Sequence, residues 1–254
     1  MLKATTPQNK LRQERNERNG PNMDDVIGRI EEIGIIPVVR AATGEEAIAA
    51  VEAVCAGGIP IVEITMTVPN AVSVIRSVAQ QLGSEVLIGA GTVTSAEQAE
   101  ICIRAGAKFL VSPGLSLAVL SVAQSCSTLA IPGALTPTEL MTALDHGAKL
   151  IKIFPCGNVG GPKYLKSLRG PFPRVALIPT GGVNVANAAE FIVAGAFALG
   201  VGADLCDVAA LRAGHPEKIT QSARELVQAV AAARAALERE APATPVAAES
   251  RKNP

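Results

Sequence analysis

Tryptophan is absent from this 254-residue chain, tyrosine occurs once at Tyr164, and aromatic residues together make up 2%. A surface that stacks nucleobases needs aromatic rings, so this scarcity argues against a base-stacking role. An excess of charge of one sign is lacking too: 23 Lys/Arg balance 23 Asp/Glu. No footprint for nucleic acid or an anionic membrane follows from that balance. Histidine occurs only at His146 and His215, and Cys55, Cys102, Cys126, Cys156 and Cys206 include no CxxC pair. A histidine-rich metal site, a zinc site and a disulfide framework are all disfavoured. Neither metal nor cofactor is expected, and a reducing cytoplasm is the expected compartment. No apolar run reaches the roughly 18 residues of a membrane span, and no secretory signal is visible at the N-terminus.

What is present is aliphatic. The chain is 48% hydrophobic, so its core is built from Ala, Val, Ile and Leu. Its length suits one α/β barrel domain. Residues 1–22 are polar, with five Lys/Arg and two Glu and no apolar periodicity; they read as a disordered arm. Residues 241–254, "APATPVAAESRKNP", are rich in Pro and Ala and read as a disordered tail. The folded domain is expected over residues 23–240.

Within it, short β-branched runs alternate with helical patterns. The strand candidates are "IPVVR" (36–40), "IPIVEIT" (59–65), "EVLIGAG" (85–91), "KFLVSP" (108–113), "TLAIPG" (128–133), "KLIKIF" (149–154), "VALIPTG" (175–181) and "FALGVG" (197–202). Between them, stretches such as "TGEEAIAAVEAVCAGG" carry helical apolar spacing, an acidic first turn and glycine at the end. This alternation predicts a single-domain (β/α)8 TIM barrel. An open doubly wound sheet is the alternative, but "RAATGEE" after the first strand lacks its GxGxxG turn. In the barrel, the active site lies at the C-terminal strand ends, which here carry polar and turn residues.

Lys152 sits among Leu150, Ile151, Ile153 and Phe154. Strand alternation puts Leu150, Lys152 and Phe154 on one face. On an inner face, desolvation disfavours the ammonium form, and the free amine can attack a ketone to form a Schiff base. The competing reading is a lysine whose stem is buried and whose head reaches a carboxylate. Glu63 interrupts an apolar strand in the same way, sharing a face with Ile61 and Thr65. It is either a structural partner of Lys152 or Arg40, or a general base beside the amine.

"IPTGGV" and, about 20 residues later, "GVGAD" fall after the seventh and eighth strands, where this fold commonly binds phosphate. Glycines there let backbone N–H groups approach an anion, and a following helix N-terminus would add its dipole. Ordinary tight turns would use the same glycines. "GAGTV" and "VSPGL" place Thr92 and Pro113 at the same rim, although both also suit plain turns.

Taken in order, "EITMTVP", "GAGTV", "VSPGL", "IPGALTPTEL", "IKIFP", "GPFPRVALIPTGGV" and "GVGAD" resemble the 2-keto-3-deoxy-6-phosphogluconate aldolases, a family overlapping with 4-hydroxy-2-oxoglutarate aldolase. The resemblance spans roughly residues 28–230, and the ordered motif set is specific. It implies a homotrimeric class I aldolase that releases pyruvate and glyceraldehyde 3-phosphate from a phosphorylated keto-acid. Its partners are then a small-molecule substrate and copies of itself, not nucleic acid or membrane. By the same resemblance, Lys152 matches the Schiff-base lysine and Glu63 the acid/base glutamate. Thr92, Pro113 and Phe154 match the pyruvate end, and Thr180, Gly181, Gly182 and Gly202 the phosphate end. One branch of the family has arginine where this chain has Thr67, and serine where it has Ala203. A cation and a hydroxyl are therefore missing, with Arg40 as a remaining rim cation.

Three rivals stand beside this reading. One is an aldolase for unphosphorylated 2-keto-acids. Another is a phosphosugar isomerase or epimerase using carboxylate bases without an imine. The third is a trimeric barrel serving mainly as a self-assembling building block.

Overall fold

The computed structural model describes residues 22–83 and 85–240. The expected arm, apart from Asn22, and the expected tail lie outside the described residues. Each of the eight expected stretches contains a strand, and every pairing is parallel. The strands are β1 (Ile35–Val39), β2 (Ile61–Thr65), β3 (Leu87–Gly91), β4 (Phe109–Val111), β5 (Leu129–Ile131), β6 (Gly133–Ala134), β7 (Leu150–Ile153), β8 (Ala176–Pro179) and β9 (Leu199–Val201). They form a six-stranded sheet, β5-β4-β3-β2-β1-β9, and a three-stranded sheet, β6-β7-β8.

The fifth expected strand is split, and proline is the reason. Pro132 separates β5 from β6 and has no N–H for the ladder. Its carbonyl still accepts from the Lys152 N–H at 2.9 Å. At the other margin, Thr180 bridges Gly200 in parallel register. The two sheets thus meet at both edges.

Helices follow the strands: α1 (Met23–Ile33), α2 (Gly44–Ala56), α3 (Ala71–Gln81), α4 (Ala96–Arg104), α5 (Leu117–Ser125), α6 (Pro137–Asp145), α7 (Pro162–Arg169), α8 (Ala188–Val193), α9 (Val208–Arg212) and α10 (Pro216–Glu240). Several start where their sequence dictates. Thr43, Ser95, Ser116 and Thr136 each accept a backbone N–H of the first turn through the side chain. α1 precedes the first strand and begins with a capping box between Asn22 and Asp25.

Two apolar layers result. The outer one lies between strands and helices and takes the buried faces of α2, α3 and α10. The inner one joins Ile36, Ile61, Leu87, Phe109, Leu129, Leu150, Ile178 and Ala198 with Val26 and Ile30 of α1. Every strand stretch contributes to this cluster, so the sheet curls around it and α1 packs against it. Alternation then puts the residues two further along each strand on the same concave face. Glu63 follows Ile61 there, and Lys152 follows Leu150.

Candidate active site

Among the described residues, the buried polar side chains are Glu63, Thr65, Ser112, Lys152 and Thr180. Glu63 and Thr65 lie on β2 and Lys152 on β7, while Ser112 and Thr180 directly follow β4 and β8. An aliphatic core that admits five polar groups toward the C-terminal ends of four strands has concentrated its chemistry there.

Lys152 is fixed by its neighbours on both sides, in register with Gly133 of β6 and Ile178 of β8. Its side chain is 5% exposed, and Nζ lies 4.0 Å from Oε1 of Glu63. That separation couples charges but is too long for a hydrogen bond. The ammonium position is 5.3 Å from the centroid of the Phe154 ring, within cation–π range. Phe154 is half-buried and forms one wall beside the amine.

Oε1 of Glu63 is buried and has no hydrogen-bond partner. Leaving such an atom unsatisfied costs about 1–3 kcal/mol. Burial pushes the Glu63 carboxyl above its ordinary pKa, and the charges of Lys152 and then Arg40 oppose that only in part. Desolvation wins over attraction here. The carboxyl is thus tuned to exchange a proton at a higher pH than a surface glutamate.

The rim is built around this pair. Thr65 donates to the Val39 carbonyl at 3.0 Å, and its hydroxyl lies 2.7 Å from that of Thr67. Thr65 has one hydroxyl proton, already given to Val39, so Thr67 is the donor between them. Thr67 and Arg40 are exposed at the edge of the concave face. Thr92 is half-buried and adopts φ 57° directly after Gly91, a conformation that costs a non-glycine residue energy. Pro113 is half-buried after β4.

The glycine turns are also organised. Gly181 and Gly182 have φ 86° and 76°, accessible to glycine at little cost. The carbonyls of Thr180 and Gly181 accept from Cys156 and Gly157 at 2.9 and 2.8 Å, pinning the turn to the loop after β7. The N–H groups of Gly181, Gly182 and Gly202 donate to no group among the described residues, so they are available to an anion. The expected helix dipole is not immediately behind them. Asn184 and Asn187 bond to each other's backbone, and α8 starts only at Ala188. After Gly202, α9 likewise starts only at Val208, capped by Asp207.

The structure therefore gathers Lys152, Glu63 and Phe154 into one cluster and sets Thr67 and Arg40 at the edge by β1 and β2. Thr180, Gly181, Gly182 and Gly202 form a second group at the ends of β8 and β9. Sequence reasoning missed Thr65 and Ser112 as site residues. Two-residue alternation from Glu63 points to Thr65, but threonine is ordinary in strands. Ser112 lies in "VSP", which reads equally well as a turn.

The family model described as "Aldolase: KDPG and KHG aldolase" matches residues 26–222. The KHG/KDPG aldolase of Escherichia coli (strain K12) is 37% identical over 194 residues, covering 76% of this chain and 91% of the relative. The crystal structure of a Legionella pneumophila KDPG aldolase, with pyruvate captured as a covalent carbinolamine, superposes with a TM-score of 0.74. It is 32% identical and covers 79% of this chain and 97% of that one. A cube-shaped porous cage designed by fusing symmetric oligomeric domains matches with a TM-score of 0.75 at 34% identity, covering 82% of this chain and 76% of its own.

Proposed function

We propose, from the premise that this chain belongs to the KDPG and KHG aldolase family, that it cleaves 2-keto-3-deoxy-6-phosphogluconate to pyruvate and glyceraldehyde 3-phosphate. The observation that carries this reading is the buried Lys152 amine, 4.0 Å from the unpartnered Oε1 of Glu63. The two sheets joined at Pro132 and at Thr180–Gly200 support a closed (β/α)8 barrel as the scaffold. In that fold, chemistry is placed at the C-terminal strand ends.

The reaction is that of a class I aldolase. The neutral Lys152 amine adds to the C2 carbonyl, and the carbinolamine loses water to give a protonated imine. That cation draws the electrons of the C3–C4 bond as it breaks, giving an enamine. The proton of the C4 hydroxyl passes to the Glu63 carboxylate through a water, and the aldehyde product leaves. Protonation of the enamine at C3 and addition of water to the imine release pyruvate and restore the amine. Phe154, Pro113 and Thr92 shape the pyruvate end. Donors from Gly181, Gly182 and Gly202 hold the phosphate.

A second reading, cleavage of unphosphorylated 4-hydroxy-2-oxoglutarate, is favoured by the composition of the rim. Thr67 and Ala203 bring no charge, and Asp204 beside Ala203 is acidic. We expect both activities, with the phosphorylated substrate preferred.

Assembly into a homotrimer is supported by exposed apolar side chains, with Met141 56% and Val193 61% exposed. Among the described residues, no helix is long and apolar enough to cross a membrane. Five free thiols fit a reducing cytoplasm. The direct test is steady-state pyruvate release from the two substrates. Turnover of neither substrate would overturn the assignment.

A further inference from the structure

The wall of the site facing Glu63 is a residue without a side chain. Gly91 ends β3, in register with Thr65 of β2. A Cβ placed on Gly91 would meet Glu63 Oε1 at 1.8 Å, Cδ at 2.3 Å and Cγ at 2.4 Å. Heavy atoms do not approach so closely without bonding, so the carboxyl occupies the space that any side chain at 91 would fill. The backbone cannot readily step back. The Gly91 carbonyl accepts from the Met66 N–H at 2.7 Å, and β3 is paired along its length with β2. The chain then turns through Thr92 at φ 57°.

Gly89, two residues earlier, offers a contrast. A Cβ there would meet the Phe109 ring at 2.3 Å, inside the apolar cluster, where packing alone explains a missing side chain. At Gly91 the group accommodated is the unpartnered carboxyl facing Lys152. That carboxyl's Oε1 lies 4.0 Å from the Lys152 amine.

We infer that Gly91 is a positioning residue for the lyase reaction: its missing side chain holds the Glu63 carboxyl within reach of the substrate carried on Lys152. This rests on the reading of Glu63 as the proton acceptor. Gly91→Ala would displace the carboxyl by an ångström or more, and a misplacement of about 1 Å typically costs on the order of 10² in rate. Imine formation would persist, because the Lys152 amine itself is not displaced.

The experiment is a cycle of wild type, Gly91→Ala, Glu63→Ala and the double variant, read by turnover, by borohydride trapping of pyruvate and by thermal melting. Gly91→Ala should lose about 10² in kcat while still trapping pyruvate on Lys152. In the Glu63→Ala background the same substitution should cost no further turnover and little stability, since truncation vacates the contested space. If Gly91→Ala does not fold alone but the double variant does, the space is the carboxyl's but the glycine serves folding, and the inference of a positioning role in turnover fails. Wild-type turnover in Gly91→Ala, or losses that multiply in the double variant, would overturn it. Near-wild-type turnover in Glu63→Ala would instead overturn the reading of Glu63, and Gly91's role with it.

Discussion

Lys152 Nζ and Glu63 Oε1 face each other across the concave side of the sheet at 4.0 Å, coupled in charge but not joined by a hydrogen bond. Two opposite unit charges at that distance attract by about 4 kcal/mol at an effective dielectric of 20. Even so, desolvation dominates the Glu63 carboxyl and raises its pKa. A pair built for stability would close to hydrogen-bond distance and satisfy both oxygens. This one leaves an oxygen open beside an amine, as the proposed proton transfer from a C4 hydroxyl requires.

Glu63→Gln keeps the shape and removes the proposed base. Turnover should fall by about 10²–10⁴, the usual scale for a general acid/base, while pyruvate is still trapped on Lys152. Steady-state kinetics with trapping checks both arms. Near-wild-type turnover would make Glu63 only an ion-pair partner.

The raised pKa of Glu63 also predicts a pH dependence of stability. In the unfolded chain this carboxyl deprotonates near 4.5, and in the folded protein at higher pH. Between those values the folded state holds the extra proton, so stability falls as pH rises through the window. Glu63→Gln removes that fall. The difference in Tm between Glu63→Gln and wild type should therefore increase in favour of the variant from below pH 4.5 to neutral pH. A constant difference would show that burial does not control this group.

Gly182→Ala tests the phosphate end. Its φ of 76° suits glycine, and a Cβ would come within 3.1 Å of Gly157 Cα, so the turn must shift. A hydrogen bond to a charged group is worth about 1.5–3 kcal/mol. The kcat/KM ratio of phosphorylated to unphosphorylated substrate should thus fall by about 10–100-fold, mostly through KM. An unchanged ratio would move the phosphate elsewhere.

A trimer predicts a solution mass three times the 26.0 kDa of the chain. Light scattering at micromolar concentration measures it, and a monomer mass would contradict the assembly.

Much of this arrangement was legible in the sequence, for physical reasons. Lys152 and Glu63 each break an apolar alternation, and burying an ionisable group is costly enough to make such a break informative. The strands showed themselves as β-branched runs, and each expected run holds one. Pro132 was visible within "TLAIPG", but that it splits the strand depends on its two neighbours in the sheet. The start of α8 depends on an Asn184–Asn187 exchange that local glycine patterns do not encode. Gly91 read only as the end of the strand candidate "EVLIGAG", because its meaning comes from the side chain of Glu63 on another strand. Thr65 and Ser112 are short polar residues at home in strands and turns, so only burial singles them out.

The account turns on which lysine becomes covalently bound. Incubation with pyruvate and borohydride, followed by peptide mass analysis, reads this directly. The expected result is one pyruvate-derived adduct per chain, on Lys152, and none in Lys152→Ala. An adduct on Lys149 or Lys163 instead, or no adduct under conditions of active turnover, would contradict it.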